Sequence, residues 1–89
     1  MNMEDFIKQK LEAALQPVSL HVVNESHLHA GHAGDDGSGQ THFRIKVVSD
    51  QFDGKSRVEK HMIVNALLEK AFKNGLHALS ISASSTEDM

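Results

Sequence analysis

The sequence contains no cysteine, no tryptophan and no tyrosine, and it has one proline and four phenylalanines among its 89 residues. Without cysteine the chain forms no disulfide and supplies no thiolate nucleophile or ligand. A metal bound here therefore takes nitrogen or oxygen donors, or it takes sulfur from a partner. The lack of tryptophan and tyrosine also removes side chains that commonly stack on bases.

The chain also lacks an excess of positive charge and long apolar runs. Its formal net charge is −3, which gives no overall attraction to nucleic acid. No apolar run approaches the roughly 18 residues of a membrane helix, and residues 1–5 lack the basic and apolar regions of a signal peptide. We therefore expect a cytoplasmic protein that does not enter membranes. We also expect the isolated chain to be a monomer.

Hydrophobic periodicity predicts the order helix, strand, strand, helix, strand. The predicted elements are a helix over 3–15, strands over 18–24 and 41–49, a helix over 57–73 and a strand over 76–83. They predict an α/β fold of the α+β type, with a three-stranded mixed sheet and both helices on one face. Residues 1–83 form a single domain in this interpretation, and 84–89 form a disordered polar tail.

The two helices carry local start and stop signals. Asn2 is expected to cap the first helix, and Pro17 ends it. Ser56 and Glu59 form a capping-box pattern at the start of the second helix. Its apolar stripe is predicted to include Val58, Met62, Ala66 and Leu67, with Ile63, Leu68 and Phe72 broadening it.

Histidines are concentrated between the two predicted strands of the first half. Residues 25–40 contain four of the six glycines together with His27, His29 and His32, and they show no helical or strand period. Long loops of this kind are usually functional or disordered. Imidazole nitrogen binds zinc, copper, iron and nickel, so the loop is a candidate metal site. A solvated polar loop is the alternative interpretation.

The other histidines lie on predicted regular elements. His77 follows Gly75 at the start of the last strand, where it is either a ligand or a strand-end residue that caps carbonyls. His21 and His42 alternate with apolar residues and are expected on the open face of the sheet. His61 is expected on a solvated helix face.

Several segments, in their order and spacing, resemble the BolA family. They are Asn24-Glu25-Ser26-His27, Thr41-His42-Phe43, Val47-Val48-Ser49, Phe52, Gly54-Lys55, Arg57-Val58-Glu59-Lys60-His61, Val64-Asn65 and Gly75-Leu76-His77-Ala78-Leu79. The resemblance implies an αββαβ fold similar to the class II KH arrangement. It also implies a heterodimer with a monothiol glutaredoxin and a 2Fe–2S cluster that is shared with this partner and glutathione.

The resemblance also implies individual ligands. A histidine that opens the last strand of the family is a cluster ligand, and His77 occupies that position. A second ligand comes from the loop between the first two strands, where His29 matches best and His27 and His32 compete with it. The chain departs from the family in having Lys60-His61-Met62 where arginine–histidine–arginine is usual, and in lacking the proline and tryptophan common near the C-terminus.

Two other functions are less well supported by the sequence. Nucleic-acid binding would use six basic side chains: Arg44, Lys46, Lys55, Arg57, Lys60 and His61. KH domains clamp nucleotides with a GXXG loop, but residues 53–56 provide one glycine. Ser26, His27 and either Asp35 or Asp36 are residue types of a hydrolase triad, but no strand–turn–helix elbow holds them. We therefore expect the protein not to be an enzyme.

Overall fold

The computed structural model describes residues 2–29, 39 and 41–88. Its helices and strands are α1 at Met3–Leu15, β1 at Ser19–Asn24, β2 at His42–Val48, α2 at Arg57–Leu67, α3 at Glu69–Lys73 and β3 at Ala78–Ser84. The predicted order of elements is confirmed. The second predicted helix is divided at Leu68 into α2 and α3.

The first helix has the predicted bounds because its end signals are local. The Asn2 side chain accepts a hydrogen bond from the backbone N–H of Asp5 at 2.8 Å, which satisfies one of the free donors of the first turn. Gln16 adopts a left-handed conformation, with φ 44°, and Pro17 follows it. The side chains that α1 buries are Met3, Ile7, Leu11 and Leu15.

The sheet has the order β1-β2-β3, so β2 is the central strand. β1 pairs with β2 in antiparallel orientation, and β3 pairs with β2 in parallel orientation. Phe43, Ile45 and Val47 alternate along β2 and are buried in the core that the helices cover. The predicted mixed sheet with helices on one face is therefore confirmed, and its open face carries the other residues of each strand.

The predicted core stripe of the second helix is confirmed for Leu68, which is buried, and for Ile63 and Leu67, which pack against the core, but it is wrong for Val58 and Met62. Val58 and Met62 are 67% and 64% exposed, and the buried residues are Val64, Leu68 and Ala71. At helical spacing Asn65 and Glu69 fall on the same face as Val58 and Met62, so that apolar stripe ends after two residues. The buried stripe of Val64, Leu68 and Ala71 continues across the break at Leu68. These residues pack in the core together with the buried residues of β2.

The capping box at the start of α2 is confirmed. The Ser56 hydroxyl accepts from the Glu59 backbone N–H at 3.1 Å, and the Glu59 carboxylate accepts from the Ser56 backbone N–H at 3.0 Å. Hydrogen bonds from the Ser56 backbone and side chain, with the charge of Lys55, lower the pKa of Glu59. These contacts fix the start of the helix, whose first two turns carry Arg57, Lys60 and His61.

The ordered chain extends beyond the predicted boundary at residue 83. Ser84 is the last residue of β3, and its carbonyl accepts a hydrogen bond from the Ser49 N–H at 3.0 Å. Ser85 is buried, and a 3₁₀ helix follows at Thr86–Asp88. The Thr86 hydroxyl donates to the Asp53 carboxylate at 3.3 Å, which ties this end to the turn after β2. Among the described residues, no helix is long and apolar enough to cross a membrane.

Candidate functional site

A buried serine joins the two ends of the histidine-containing loop. Ser26 opens a 3₁₀ turn at Ser26–His29 and is 3% exposed. Its hydroxyl accepts hydrogen bonds from the backbone N–H groups of Thr41 and His42 at 2.9 and 3.0 Å. The same hydroxyl donates to the His42 carbonyl oxygen at 3.3 Å. One side chain therefore connects the residues after β1 to the start of β2.

The residue before this turn adds a second connection. The Asn24 side-chain carbonyl accepts from the Ser26 N–H at 2.9 Å, and its amide donates to the Gly39 carbonyl at 2.8 Å. Gly39 has a φ of 73°, in the left-handed region that favours glycine. The Glu25 N–H donates to the His42 carbonyl at 2.8 Å. These contacts give the Asn24-Glu25-Ser26 segment a structural role at the base of the loop.

The start of β3 is hydrogen-bonded to Thr41, which also bonds to Ser26. The Thr41 carbonyl accepts from the backbone N–H groups of His77 and Ala78 at 2.8 and 3.1 Å. His42 is the register partner of Ala78 in the parallel pair, so His77 begins β3 beside the first residues of β2. The His77 side chain is exposed. The structure therefore gives the predicted ligand a fixed backbone and an accessible imidazole.

His42 is buried, which the sequence interpretation missed. It is 7% exposed, although strand alternation predicted an exposed open-face residue. Its Nδ1 lies 2.8 Å from the Thr41 hydroxyl oxygen, and its ring centroid lies 5.4 Å from that of His77. The Ser26 hydroxyl is hydrogen-bonded to the His42 backbone, so the 3₁₀ turn lies beside the start of β2. The available signal was the position of His42 between a long loop and a strand, next to Thr41.

The three predicted loop ligands differ in where they lie. His27 is exposed and immediately follows Ser26, close to the base of the loop. His29 is the last residue of the 3₁₀ turn, and His32 lies outside the described residues. Among residues 2–29, 39 and 41–88, no group of three histidines, aspartates or glutamates is arranged to hold a metal. A metal centre at His77 therefore needs further donors.

The predicted basic residues divide between different surfaces. Arg44 and Lys46 are exposed on the open face of β2, and the Arg44 guanidinium pairs with the Glu25 carboxylate at 3.0 Å. Lys55 lies in the exposed turn before α2. The remaining three basic residues belong to the first two turns of α2. Arg44 is therefore already paired with an acid.

The start of α2 and β3 form a cleft with a volume of about 370 Å³. Its lining consists of Arg57, Lys60, His61, Ile81, Ser82 and Ala83. His61 is half-buried, so the prediction of a solvated helix face is wrong for this residue. The reason is the rotation of α2: His61 precedes the buried Val64 by one turn and faces the sheet with it.

Comparison with known proteins gives the family. The sequence profile described as "BolA-like protein" matches residues 11–88, which is most of the chain. The chain belongs to the BolA family. Its resemblance to BolA sequences is therefore confirmed, and the residues that join the loop to β3 belong to the matched region.

Individual BolA relatives agree with this result. The chain is 51% identical over 81 residues to SufE-like protein 1, chloroplastic/mitochondrial, of Arabidopsis thaliana, covering 86% of this chain but 22% of that protein. It is 40% identical over 91 residues to UV-induced protein uvi31 of Schizosaccharomyces pombe, covering 99% of this chain and 89% of the relative. The chain therefore spans about a fifth of one relative and nearly all of the other.

A solved BolA structure agrees with the fold. The structure of BolA1 from Arabidopsis thaliana superposes with a TM-score of 0.89 at 38% identity, and the match covers 100% of this chain and 97% of that one. The α+β fold with a mixed three-stranded sheet is therefore shared with a solved BolA protein.

Proposed function

We propose that this BolA-family protein is a non-enzymatic partner of a monothiol glutaredoxin and supplies histidine to a 2Fe–2S cluster that both proteins share. The observation that carries the proposal is the exposed His77 at the start of β3, with its backbone N–H bonded to Thr41 at 2.8 Å. A ligand on a fixed strand end meets a cluster with little loss of conformational freedom. The function is accessory: the protein changes the ligands of the cluster and thereby its stability and transfer.

The donor chemistry fits a shared cluster. A 2Fe–2S cluster takes four ligands, and two histidines on one iron are an established alternative to cysteine. This chain has seven histidines and no cysteine. It would contribute His77 and one of His29, His27 and His32, while the glutaredoxin cysteine and glutathione would contribute sulfur. Because no three donors of the described residues meet, the isolated chain is not expected to hold the cluster alone.

The proposal is tested by anaerobic reconstitution of a monothiol glutaredoxin with iron, sulfide and glutathione, with and without this protein. We expect a 1:1 complex in size-exclusion chromatography, with a visible circular dichroism spectrum unlike that of the glutaredoxin homodimer, because histidine replaces sulfur on one iron. This protein alone and a mixture without glutathione are the controls. Separate elution of the two proteins with an unchanged glutaredoxin spectrum would contradict the proposal.

Nucleic-acid binding is the second candidate, and the cleft between α2 and β3 favours it. Arg57, Lys60 and His61 line one cleft together with the apolar side chains of Ile81 and Ala83. Phosphate binding by two of them predicts a measurable contribution to the salt dependence of affinity. The cleft is separate from the contacts of His77 with Thr41, so this activity would not require the cluster.

Replacing both Arg57 and Lys60 with alanine should then weaken duplex DNA binding and reduce the slope of log affinity against log salt by about 2. Lys70→Ala with Lys73→Ala is the matched control, because both lysines are exposed on α3 and do not line the cleft. Fluorescence anisotropy at several salt concentrations gives the slopes. Equal slopes for the two double variants would contradict a phosphate site in the cleft.

The relatives do not extend the proposal to a location or to a larger activity. SufE-like protein 1 is named as chloroplastic/mitochondrial, so its name does not support the predicted cytoplasmic location. The chain spans 22% of that protein, and activities of its remaining length are not part of this proposal.

A further inference from the structure

We infer that His42 is a positioning residue that holds the imidazole of His77 in the orientation required for cluster binding. The inference rests on the proposed function, since it gives His77 the role of ligand. Its structural basis is the tilted contact between the two rings, whose centroids are 5.4 Å apart with an interplanar angle of 47°. This separation lies within the range of favourable aromatic contacts.

His42 is itself held in place by hydrogen bonds from its backbone and its ring. Its backbone N–H donates to the buried Ser26 hydroxyl at 3.0 Å, and its carbonyl accepts from the Glu25 N–H at 2.8 Å. Its Nδ1 is paired with the Thr41 hydroxyl at 2.8 Å. The residue is 7% exposed and begins β2, the central strand. Rotation of the ring would break its hydrogen bond with Thr41, and movement of the backbone would break the bonds to Ser26 and Glu25.

His77 has a fixed backbone but an exposed side chain. The hydrogen bond from its N–H to Thr41 sets the direction of the Cα–Cβ bond. Rotation about χ1 and χ2 would still move the ring nitrogens across several ångströms. Contact with the buried His42 ring reduces this freedom on one side and leaves the other side open to a partner. Outer residues that orient a metal-binding histidine commonly change metal affinity by 10–100-fold.

Burial makes His42 better suited to positioning than to direct ligation. The residue is 7% exposed, so little of its ring is open to a cluster. His77, by contrast, is exposed. The ring of His42 therefore acts through its contact with His77, and a different flat ring at residue 42 should retain part of that effect.

The first measurement concerns the free protein and needs no cluster. Three-bond couplings and ring chemical shifts of His77 are recorded by NMR for the wild type, His42→Ala and His42→Phe. We expect one dominant His77 rotamer in the wild type, averaged couplings in His42→Ala and partial recovery in His42→Phe. His21→Ala is the control, because His21 is an exposed histidine on the open face, paired in register with Lys46. Identical His77 couplings in the wild type and His42→Ala would overturn the inference.

The second measurement uses the mixed complex with glutaredoxin and glutathione. We expect His42→Ala to lower the affinity of the mixed complex by about tenfold. The affinity of His42→Phe should lie between those of His42→Ala and the wild type. Thermal unfolding of each variant identifies those that remain folded, and His42→Phe keeps the test valid if His42→Ala does not fold. If His42→Phe loses the cluster spectrum as completely as His77→Ala does, His42 is a ligand and the positioning role is wrong.

The two proposals fail in distinguishable ways. A wild-type protein that forms no mixed complex contradicts the proposed function and, with it, the ligand role of His77. A wild-type complex that forms normally while His42→Ala changes neither the His77 couplings nor the complex contradicts the positioning role alone.

Discussion

Replacing His77 with alanine should remove the circular dichroism signature of the mixed 2Fe–2S complex and leave the protein folded. The imidazole is the ligand that the proposal assigns to β3, and alanine offers no donor in its place. Loss of a direct ligand should exceed the 10–100-fold effect typical of outer residues. We therefore expect the mixed complex to weaken by more than about 100-fold. Reconstitution at equal protein concentrations, followed by circular dichroism and size-exclusion chromatography, measures the change.

Folding should be nearly unaffected by this change for a structural reason. The His77 side chain is exposed, and the contact that fixes the strand start is the backbone N–H bond to Thr41, which alanine retains. Exposed substitutions usually change stability by no more than about 0.5 kcal/mol. His21→Ala is a matched exposed histidine and should behave as the wild type in both assays. An unchanged spectrum in His77→Ala would show that the ligand lies elsewhere.

The fold was predictable wherever its signals are local. Asn2, Pro17 and the Ser56–Glu59 capping box act within one turn of the chain, and each is used as predicted. The alternation of Phe43, Ile45 and Val47 likewise depends only on strand geometry. These signals place the elements along the sequence and give each strand a buried face.

The errors concern which surfaces meet, because that is decided by tertiary contacts. Val58 and Met62 have helical spacing but are exposed, since Val64 and Leu68 face the sheet instead. His42 has the alternation of an open-face residue but is buried at the base of the loop. Periodicity predicts which residues share one face of a helix or strand. It does not predict which other segments cover the ends of that face.

The candidate site was predictable in part for the same reason. His77 was identified through the resemblance to the BolA family, and the structure adds the fixed backbone and the contact with His42. The choice among His29, His27 and His32 depends on how the loop meets a partner. Strand and helix periods carry no information about such a choice, so the second ligand stays a prediction.

Replacing Ser26 with alanine should destabilise the protein by about 2–4 kcal/mol, because it leaves two buried backbone donors without their acceptor. The N–H groups of Thr41 and His42 both donate to the Ser26 hydroxyl, at 2.9 and 3.0 Å. Thr41 is 1% exposed, so water replaces the hydroxyl poorly at this position. A loss of this size is a large part of the 5–15 kcal/mol that stabilises a typical domain. Urea unfolding gives the change in free energy.

Ser26→Ala should also increase local opening near its site. Ser26 connects the loop to Thr41 and His42, and His77 is hydrogen-bonded to Thr41. Hydrogen exchange at the Thr41 and His42 amides should be faster in Ser26→Ala under conditions where the core of β2 stays protected. Ser80→Ala is the matched control, since Ser80 is an exposed serine of β3, and its stability should lie within about 0.5 kcal/mol of the wild type. Equal stability of the two variants would mean that water or a shifted backbone satisfies both amides. In that case the base of the loop would be held by Asn24 and Glu25 rather than by Ser26.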